Sequence, residues 1–465
     1  MAPTELEKTL AGLKAGFLAQ PSPGLQQRKA SLRRIASLLT NNESALCAAL
    51  SADFGYRSSK QSSFADITTT LKSIGHARRN LRFWMQHEPR SAEFSLRLSG
   101  ARCHVEYQPK GVVGIISPWN FPLNLALSPL VSALAAGNRA YIKPSEFTPR
   151  TAELLATLVA QYFAEDEVAV ALGDAEIAAE FSALEFDHLI YTGSTGIGRH
   201  IMAASVKHLT PLTLELGGKC PVVISDTGSL EKAVNRVLFG KYFNAGQICI
   251  APDYVLLPES KLEDFLAELG HQFSSIERAT TQGDAVSVAS PRQAERLQHL
   301  MTDAREKGAS LHHFGQPDGD SSYQLQVVVN PRNDADICHQ EIFGPVLLVR
   351  TVESFNDSIT VIKAQPSPLV VYYFGNSQSE QNTLHRETRS GALVFNDIIF
   401  QYANDDIPFG GVGASGIGRY RGIDGFREFS NQRAVYRPGV LDMSALVTPP
   451  YPRAFNIINS LMRKL

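Results

Sequence analysis

The sequence predicts an α/β fold built from parallel βαβ units. Three observations carry that reading. From about residue 105 onward, short apolar runs alternate with helix patterns of about a dozen residues. A Pro- or Gly-rich tetrad (SPWN, KPSE, TGST, ELGG) closes each of four apolar runs. After residue 220 the same alternation begins again, which marks a second α/β region.

The elements follow in order. Residues 1–95 read as helical, because apolar residues recur at helical spacing in LRRIASLLTNNESALCAAL and again in FADITTTLKSIGHARRNLRFWM. GVVGII (111–116) is a short apolar run suited to a strand buried on both faces. SPWNFP is a loop with two prolines, and LNLALSPLVSALAAG is a helix pattern that ends at Gly137 as C-cap. RAYIKPS reads as a strand and its exit loop, after which Thr148 and Pro149 open a helix as N-cap and first residue. VAVAL (168–172), FDHLIYTGS (186–194) and PLTLELGG (211–218) are further strands, with a helix through His208 between the last two. The main boundary falls near 216–220, and PVVIS (221–225) starts the second region. SLEKAVNRVLFGKYFNAG, KLEDFLAELGHQF and SPRQAERLQHLMTDAREKG are its helices, while GPVLLVRTV (344–352) and PLVVYYFG (368–375) are its strong strands.

Composition narrows the functional classes. A chain of 465 residues buries a sizeable core without disulfide or metal staples. A net charge of −2 supplies no global basic field to recruit nucleic acid or anionic membrane. The five cysteines (Cys47, Cys103, Cys220, Cys249, Cys338) form no C-x-x-C pair, so no zinc-cluster pattern is present and no metal is expected. Their odd number and wide spacing suit a reduced, cytoplasmic compartment. The N-terminus carries acids and lacks the apolar core of a signal peptide. No stretch approaches the ~20 apolar residues of a membrane span. The tail YPRAFNIINSLMRKL reads as a short amphipathic helix that docks on protein or, as the alternative, touches a membrane surface.

In open parallel sheets, ligands sit beyond the carboxyl ends of the strands, and the four tetrads fall there. TGSTGIG (192–198) is a phosphate-loop candidate at a helix N-terminus, although its spacing is not G-x-G-x-x-G and a tight strand-to-helix turn explains it equally well. Lys143 and Glu146 in KPSE either grip the ribose of a nucleotide or form a surface ion pair. As a nucleotide contact, the acid favours NAD over NADP by repelling a 2′-phosphate. Cys249 in NAGQICIAPD follows a Gly-containing turn that ends a helix. Such a turn holds a thiol at a rigid, accessible place, where its thiolate is the strongest nucleophile in the chain. A lone cysteine is more commonly a small buried hydrophobe, so context has to decide.

PWNFP, KPSE, TGST-x-x-G, LELGGK, GQ-x-C, EIFGP and PFGG-x-G-x-SG occur in this order between about residues 60 and 430. Together they resemble the NAD(P)-dependent aldehyde dehydrogenase superfamily. APDYVL after the cysteine resembles its class 3-like branch, and HARRNLRFWM, FDHLIYTGST and LTPLTLELGGK look most like bacterial coniferyl aldehyde dehydrogenases. The resemblance implies that Cys249 attacks the aldehyde, that Asn120 donates to the oxyanion, and that Glu215 activates the water that hydrolyses the thioester. It implies further that Trp119, Lys143, Glu146, Gly193, Ser194, Glu341 and Phe343 bind NAD or NADP. The expected architecture is aldehyde dehydrogenase-like. A doubly wound NAD(P)-binding domain (1–95 and 113–216) joins an α/β catalytic domain (217–424). A small oligomerisation element (96–112 and 425–445) serves a homodimer, and a tail (446–465) follows.

The reaction implied is oxidation of an aldehyde, aromatic or medium to long-chain, to the acid. The alternative is acyl transfer to coenzyme A, which needs no water-activating base and so leaves Glu215 without a task. Cys220, Gln340, Gln401 and Tyr402 depart from residues common in the family. Cys220 reads as structural, and Gln401–Tyr402 borders the expected substrate region. Phe121, Phe400 and Phe409 are candidates for an apolar pocket.

Overall fold

In the computed structural model, the apolar runs of the first half become a six-stranded sheet. The structure describes residues 3–279, 284–315, 324–440, 444, 448–453 and 455–463. Across the sheet the strands run Gly416–Ile417, Leu212–Leu216, His188–Gly193, Val112–Ile116, Arg139–Lys143 and Val168–Val170. All neighbours are parallel except the Gly416–Ile417 edge. The helices Asn124–Ala136, Pro149–Tyr162, Ala175–Ser182 and Thr195–Ser205 make the crossovers. Val112–Ile116 is buried at every position, as a strand covered on both faces must be. The first crossover helix is buried all round and stops at Gly137, whose φ of 94° is the left-handed C-cap that the sequence predicts.

Strand order reverses beside Val112–Ile116. The chain first winds outward through Arg139–Lys143 and Val168–Val170, then returns to lay His188–Gly193 on the opposite side. This is the topological switch point, where an open α/β sheet leaves a crevice at the strand ends. SPWN leaves one of the two strands at that point, and TGST leaves the other.

The second half forms a seven-stranded sheet in the order Ser310–Phe314, Leu325–Val329, Val346–Val352, Tyr254–Pro258, Pro221–Ile224, Val370–Phe374 and Ala392–Phe395. Only the Ser310–Phe314 edge is antiparallel. Leu216 ends a strand of the first sheet, and Pro221 begins one of the second. Four residues, Gly217 to Cys220, thus connect a carboxyl edge to an amino edge, and the two edges meet at this seam.

The helical reading of the first 95 residues holds as far as Trp84. Glu88–Arg90 is instead a short strand, and it pairs antiparallel with Arg102–Pro109, which in turn pairs with Ser430–Arg437. Pro89 explains why the run is confined to a sheet edge, since proline has no N–H for a second neighbour. The tail carries a helix at Phe455–Met462, while residues 446, 447, 454, 464 and 465 lie outside the described ones. No helix among the described residues is long and apolar enough to cross a membrane.

One buried ion pair fixes the wall on which the site is built. Arg57 Nη2 lies 2.9 Å from Asp66 Oδ2, and both side chains are fully buried. The guanidinium is covered by Phe54 and Phe121 at 4.7 and 5.3 Å. Asp66 Oδ1 accepts from the amides of Leu123 and Asn124, which anchors the start of the buried crossover helix. Burial pushes the Asp66 carboxyl up, and Arg57 opposes this. Arg57→Met leaves that carboxyl without its partner and is expected to cost about 3–5 kcal/mol. Equilibrium denaturation checks this, and a loss below the size of an ordinary surface change would show that the pair is dispensable.

Candidate active site

Cys249 stands at the end of a strained elbow. The helix Leu230–Tyr242 gives way to a turn in which Asn244, Ala245 and Gly246 have φ of 51°, 52° and 68°. Three successive left-handed residues, two of them not glycine, persist only where surrounding contacts over-determine them. Those contacts are present. Gln247 is fully buried, donates to the carbonyls of Asn244 and Ser287 at 3.0 Å each, and accepts from the Ala289 amide at 2.8 Å. The Asn244 amide is held by Gln61 Oε1 at 2.9 Å. A Cβ at Gly246 would press on the Gly344 carbonyl at 2.5 Å, so only glycine fits.

Asn120 is buried beside this elbow. Its Nδ2 donates to the Gln247 carbonyl at 3.1 Å, and its own carbonyl accepts from Asn244 Nδ2 at 3.0 Å. The amide is therefore tied to the turn that carries the cysteine, and its second N–H is free of that bond.

Glu215 lies on the strand Leu212–Leu216 at the seam. It is almost fully buried, and neither carboxylate oxygen has a hydrogen-bond partner among the described residues. Burial pushes its pKa well above the ordinary carboxyl range, with Arg419 opposing. Residue 416 pairs directly with Glu215 and can only be glycine, because a Cβ there would run into the Leu214 carbonyl. The Gly-rich run that the sequence left without a task thus backs the strand of Glu215.

The half-buried Cys249 and Glu215 line one pocket of about 910 Å³, its open mouth included. Phe121, Phe400 and Phe409 line it as expected, and so do Phe64, Phe239, Phe243 and Tyr402. Phe239 stacks on Phe400 and on Phe243, with centroids at 5.4 and 5.5 Å. Tyr402 donates to Asn124 Oδ1 at 2.5 Å, and Gln401 turns away to Tyr372 Oη at 3.3 Å. Lys72 at the rim and Glu215 are the charged side chains among the described lining residues.

Burial pushes the Cys249 thiol well above its usual pKa, and Glu341, Cys220 and Glu215 add to the rise. Cys220 is fully buried and donates to the Cys249 carbonyl at 3.4 Å, in keeping with a structural thiol.

The remaining predicted residues gather around the seam and the switch point. The Glu341 carboxyl sits against Gly217, where any Cβ would overlap it, and accepts from the Gly218 amide. Burial raises it to about 8. Its loop is pinned by Arg296, which donates to the carbonyls of Glu341 and Ile342 at 3.0 and 2.6 Å. Lys219, paired with Asp253, holds the carbonyls of Ile337 and Gln340 at 2.8 and 2.9 Å, and Asp253 accepts from the Ile342 amide. Phe343 adopts a positive φ of 48° and meets the Trp119 ring edge-on at 5.4 Å.

Lys143 is buried at its strand end, with Nζ on the Pro144 carbonyl at 2.7 Å and 3.7 Å from Glu146. Gly193 closes its strand, and Ser194 caps the next helix through the Ile197 amide at 3.4 Å. Sequence reasoning missed Phe64, Lys72, Asp66, Arg57, Lys219 and Asp253, whose parts depend on distant contacts. Phe239 and Phe243 were within reach as aromatics just ahead of Cys249, one in the last turn of the helix Leu230–Tyr242 and one at its C-cap.

The family model described as "Aldehyde dehydrogenase family" matches residues 3–435. The chain belongs to the aldehyde dehydrogenase family. The enzyme is 41% identical over 466 residues to the coniferyl aldehyde dehydrogenase of a Pseudomonas species, covering 98% of this chain and 96% of that one. Its structure matches the substrate-bound state of Staphylococcus aureus AldH with a TM-score of 0.92 at 31% identity, covering 99% and 100% of the two chains. The Mycobacterium tuberculosis aldehyde dehydrogenase complexed with NAD+ matches at a TM-score of 0.83 and 26% identity, covering 94% and 91%. The enzyme is thus an NAD(P)-dependent oxidoreductase acting on aldehydes, with the mixed α/β fold of its family.

Proposed function

We propose that the enzyme oxidises an apolar aldehyde, aromatic or long-chain, to the free carboxylic acid through a thioester on Cys249. The single observation that carries this reading is the shared pocket. One thiol and one unpartnered carboxyl of raised pKa face the same aromatic-lined space.

The residues at the switch point fit a dinucleotide. Ser117 Oγ is buried without a partner among the described residues just beyond Val112–Ile116, and a helix of eleven residues starts after Gly193. Leu172 and Ile197 follow other strands of this sheet and are 46% and 50% exposed, as apolar side chains awaiting a flat base would be. Lys143, Glu146, Gly193 and Ser194 would hold the adenosine side. Trp119, Glu341 and Phe343 would hold the nicotinamide side. When bound, the nicotinamide supplies the hydride acceptor.

The chain's own residues do the rest. The Cys249 thiol passes its proton to water as sulfur adds to the carbonyl carbon, and the π pair of the carbonyl moves onto its oxygen. The Cys249 N–H and the Asn120 amide receive the oxygen of the thiohemiacetal. Once the thioester has formed, Glu215 takes a proton from water, the hydroxyl attacks the acyl carbon, and the C–S bond breaks, which releases the carboxylic acid and returns the sulfur to Cys249, where it regains a proton. The apolar walls exclude bulk water, so each of these charges acts in a low dielectric. Glu215 favours water over coenzyme A as acceptor, since only water needs a base there. The acid at 146 favours NAD over NADP. The three-stranded sheet supports a homodimer, and the reduced cysteines support a cytoplasmic setting.

A kinetic panel with NAD and NADP tests the substrate class. Cinnamyl-type and long-chain aldehydes are expected to surpass acetaldehyde in kcat/KM by about 100-fold, a difference of a few buried methylenes or one ring. Equal values, or acid formation that requires coenzyme A, would overturn the proposal.

A further inference from the structure

We propose that His87, His104 and Glu106 form a binding site for a divalent transition-metal ion of the zinc, nickel or cobalt class. The site lies at the three-stranded sheet, whereas Glu215 lies on the six-stranded sheet and Cys249 on the turn after Leu230–Tyr242. Register brings the three together. Glu88 pairs with Val105 and Pro89 with His104, so His87 falls opposite Glu106 as the pairing continues. His104 and Glu106 are two apart on one strand and share a face. Glu106 Oε1 is 3.3 Å from His104 Nε2 and 3.7 Å from His87 Nε2. The three donor atoms all lie within 4.8 Å of one another.

The donor set has the right chemistry. Two imidazoles and one carboxylate suit borderline divalent ions, and three protein ligands leave positions for water. The second carboxylate oxygen accepts from Arg433 Nη2 at 2.6 Å. That bond orients Glu106 and leaves Oε1 turned to the histidines, which is the part an outer partner plays at metal sites. Arg433 is also the charge that opposes a cation here, so the ion must bind through the imidazoles rather than through net negative charge. The two rings stack with centroids at 4.6 Å, and His87 is exposed, so a side-chain rotation suffices to bring its nitrogen onto a shared ion. An ion held there ties the edge strand Glu88–Arg90 to the strand Arg102–Pro109.

Equilibrium dialysis of the untagged full-length enzyme against cobalt(II) or zinc(II), with metal counted by elemental analysis, tests the site. Because a thiol binds the same ions, the measurement is repeated in Cys249→Ala. One ion per chain is expected in both. His87→Ala, which changes an exposed side chain, is expected to weaken binding by more than about 100-fold, and His104→Ala likewise. Metal-free melting and aldehyde turnover of His87→Ala are expected to match the parent. No bound ion in the parent, equal binding in His87→Ala, or loss of the ion only in Cys249→Ala would each overturn the proposal.

Discussion

Cys249→Ala abolishes aldehyde turnover, with a loss on the scale of nucleophile deletions, about 10⁶-fold, while dinucleotide affinity stays within about twofold. The separation follows from position. Cys249 lines the apolar pocket, whereas the proposed dinucleotide contacts lie at the strand ends around Lys143, Gly193 and Trp119. The substitution removes one sulfur from a half-buried place and leaves the elbow intact, because Gln247 and Gly246 hold it without help from the thiol. Turnover by NADH absorbance and affinity by calorimetry give the two readouts. Residual turnover above about 1% would exclude Cys249 as the nucleophile.

Glu215→Gln is expected to produce one burst of NADH per active site and then a steady state slower by about 10²–10⁴-fold. The amide cannot take a proton from water, so the thioester accumulates and is visible by mass spectrometry. Two signs follow from the burial of this carboxyl. Glu215 adds to the high pKa of Cys249, so removing its charge lowers the thiol pKa and shifts the pH midpoint of the burst downward. A carboxyl whose folded pKa is raised above its unfolded value contributes stability that is complete below the unfolded pKa. That contribution is lost as pH rises through the folded pKa. Glutamine cannot ionise, so the variant is expected to melt at a higher temperature than the parent in alkaline buffer, with the difference vanishing in acid. A missing burst would show that Glu215 first takes the thiol proton, and an unchanged steady state would exclude it as the base.

These two residues also show how far the linear chain can be read. GQIC and LELGG are local strings, and both belong to patterns whose backbone demands are local. A helix end needs its glycine, and a buried strand needs its apolar run. The state of the two groups was less legible. The thiol reads as an ionised nucleophile from its motif, yet its protonation is set by what surrounds it. Here that is an apolar pocket and two carboxyls, one of them 92 residues away at Glu341.

The small sheet gives the same lesson. The strand Arg102–Pro109 finds its partners in Glu88–Arg90 and Ser430–Arg437. Hydrogen bonds between strands leave no mark on either sequence alone. The histidines of the proposed metal site were invisible for that reason, since only register sets His87 beside Glu106.

From its order of residues alone, the chain declared its periodicity, its caps, its parallel α/β class and the motifs of its family. These depend on contacts within about one turn or one strand, and short-range spacing encodes them directly. The pocket walls, the orphaned carboxyl of Glu215, the Arg57–Asp66 anchor and the pinning of the Glu341 loop by Lys219 and Arg296 were decided by tertiary structure. Each joins segments distant in sequence, and its state is set by the loss of water around polar groups that meet only when both sheets have closed on the seam.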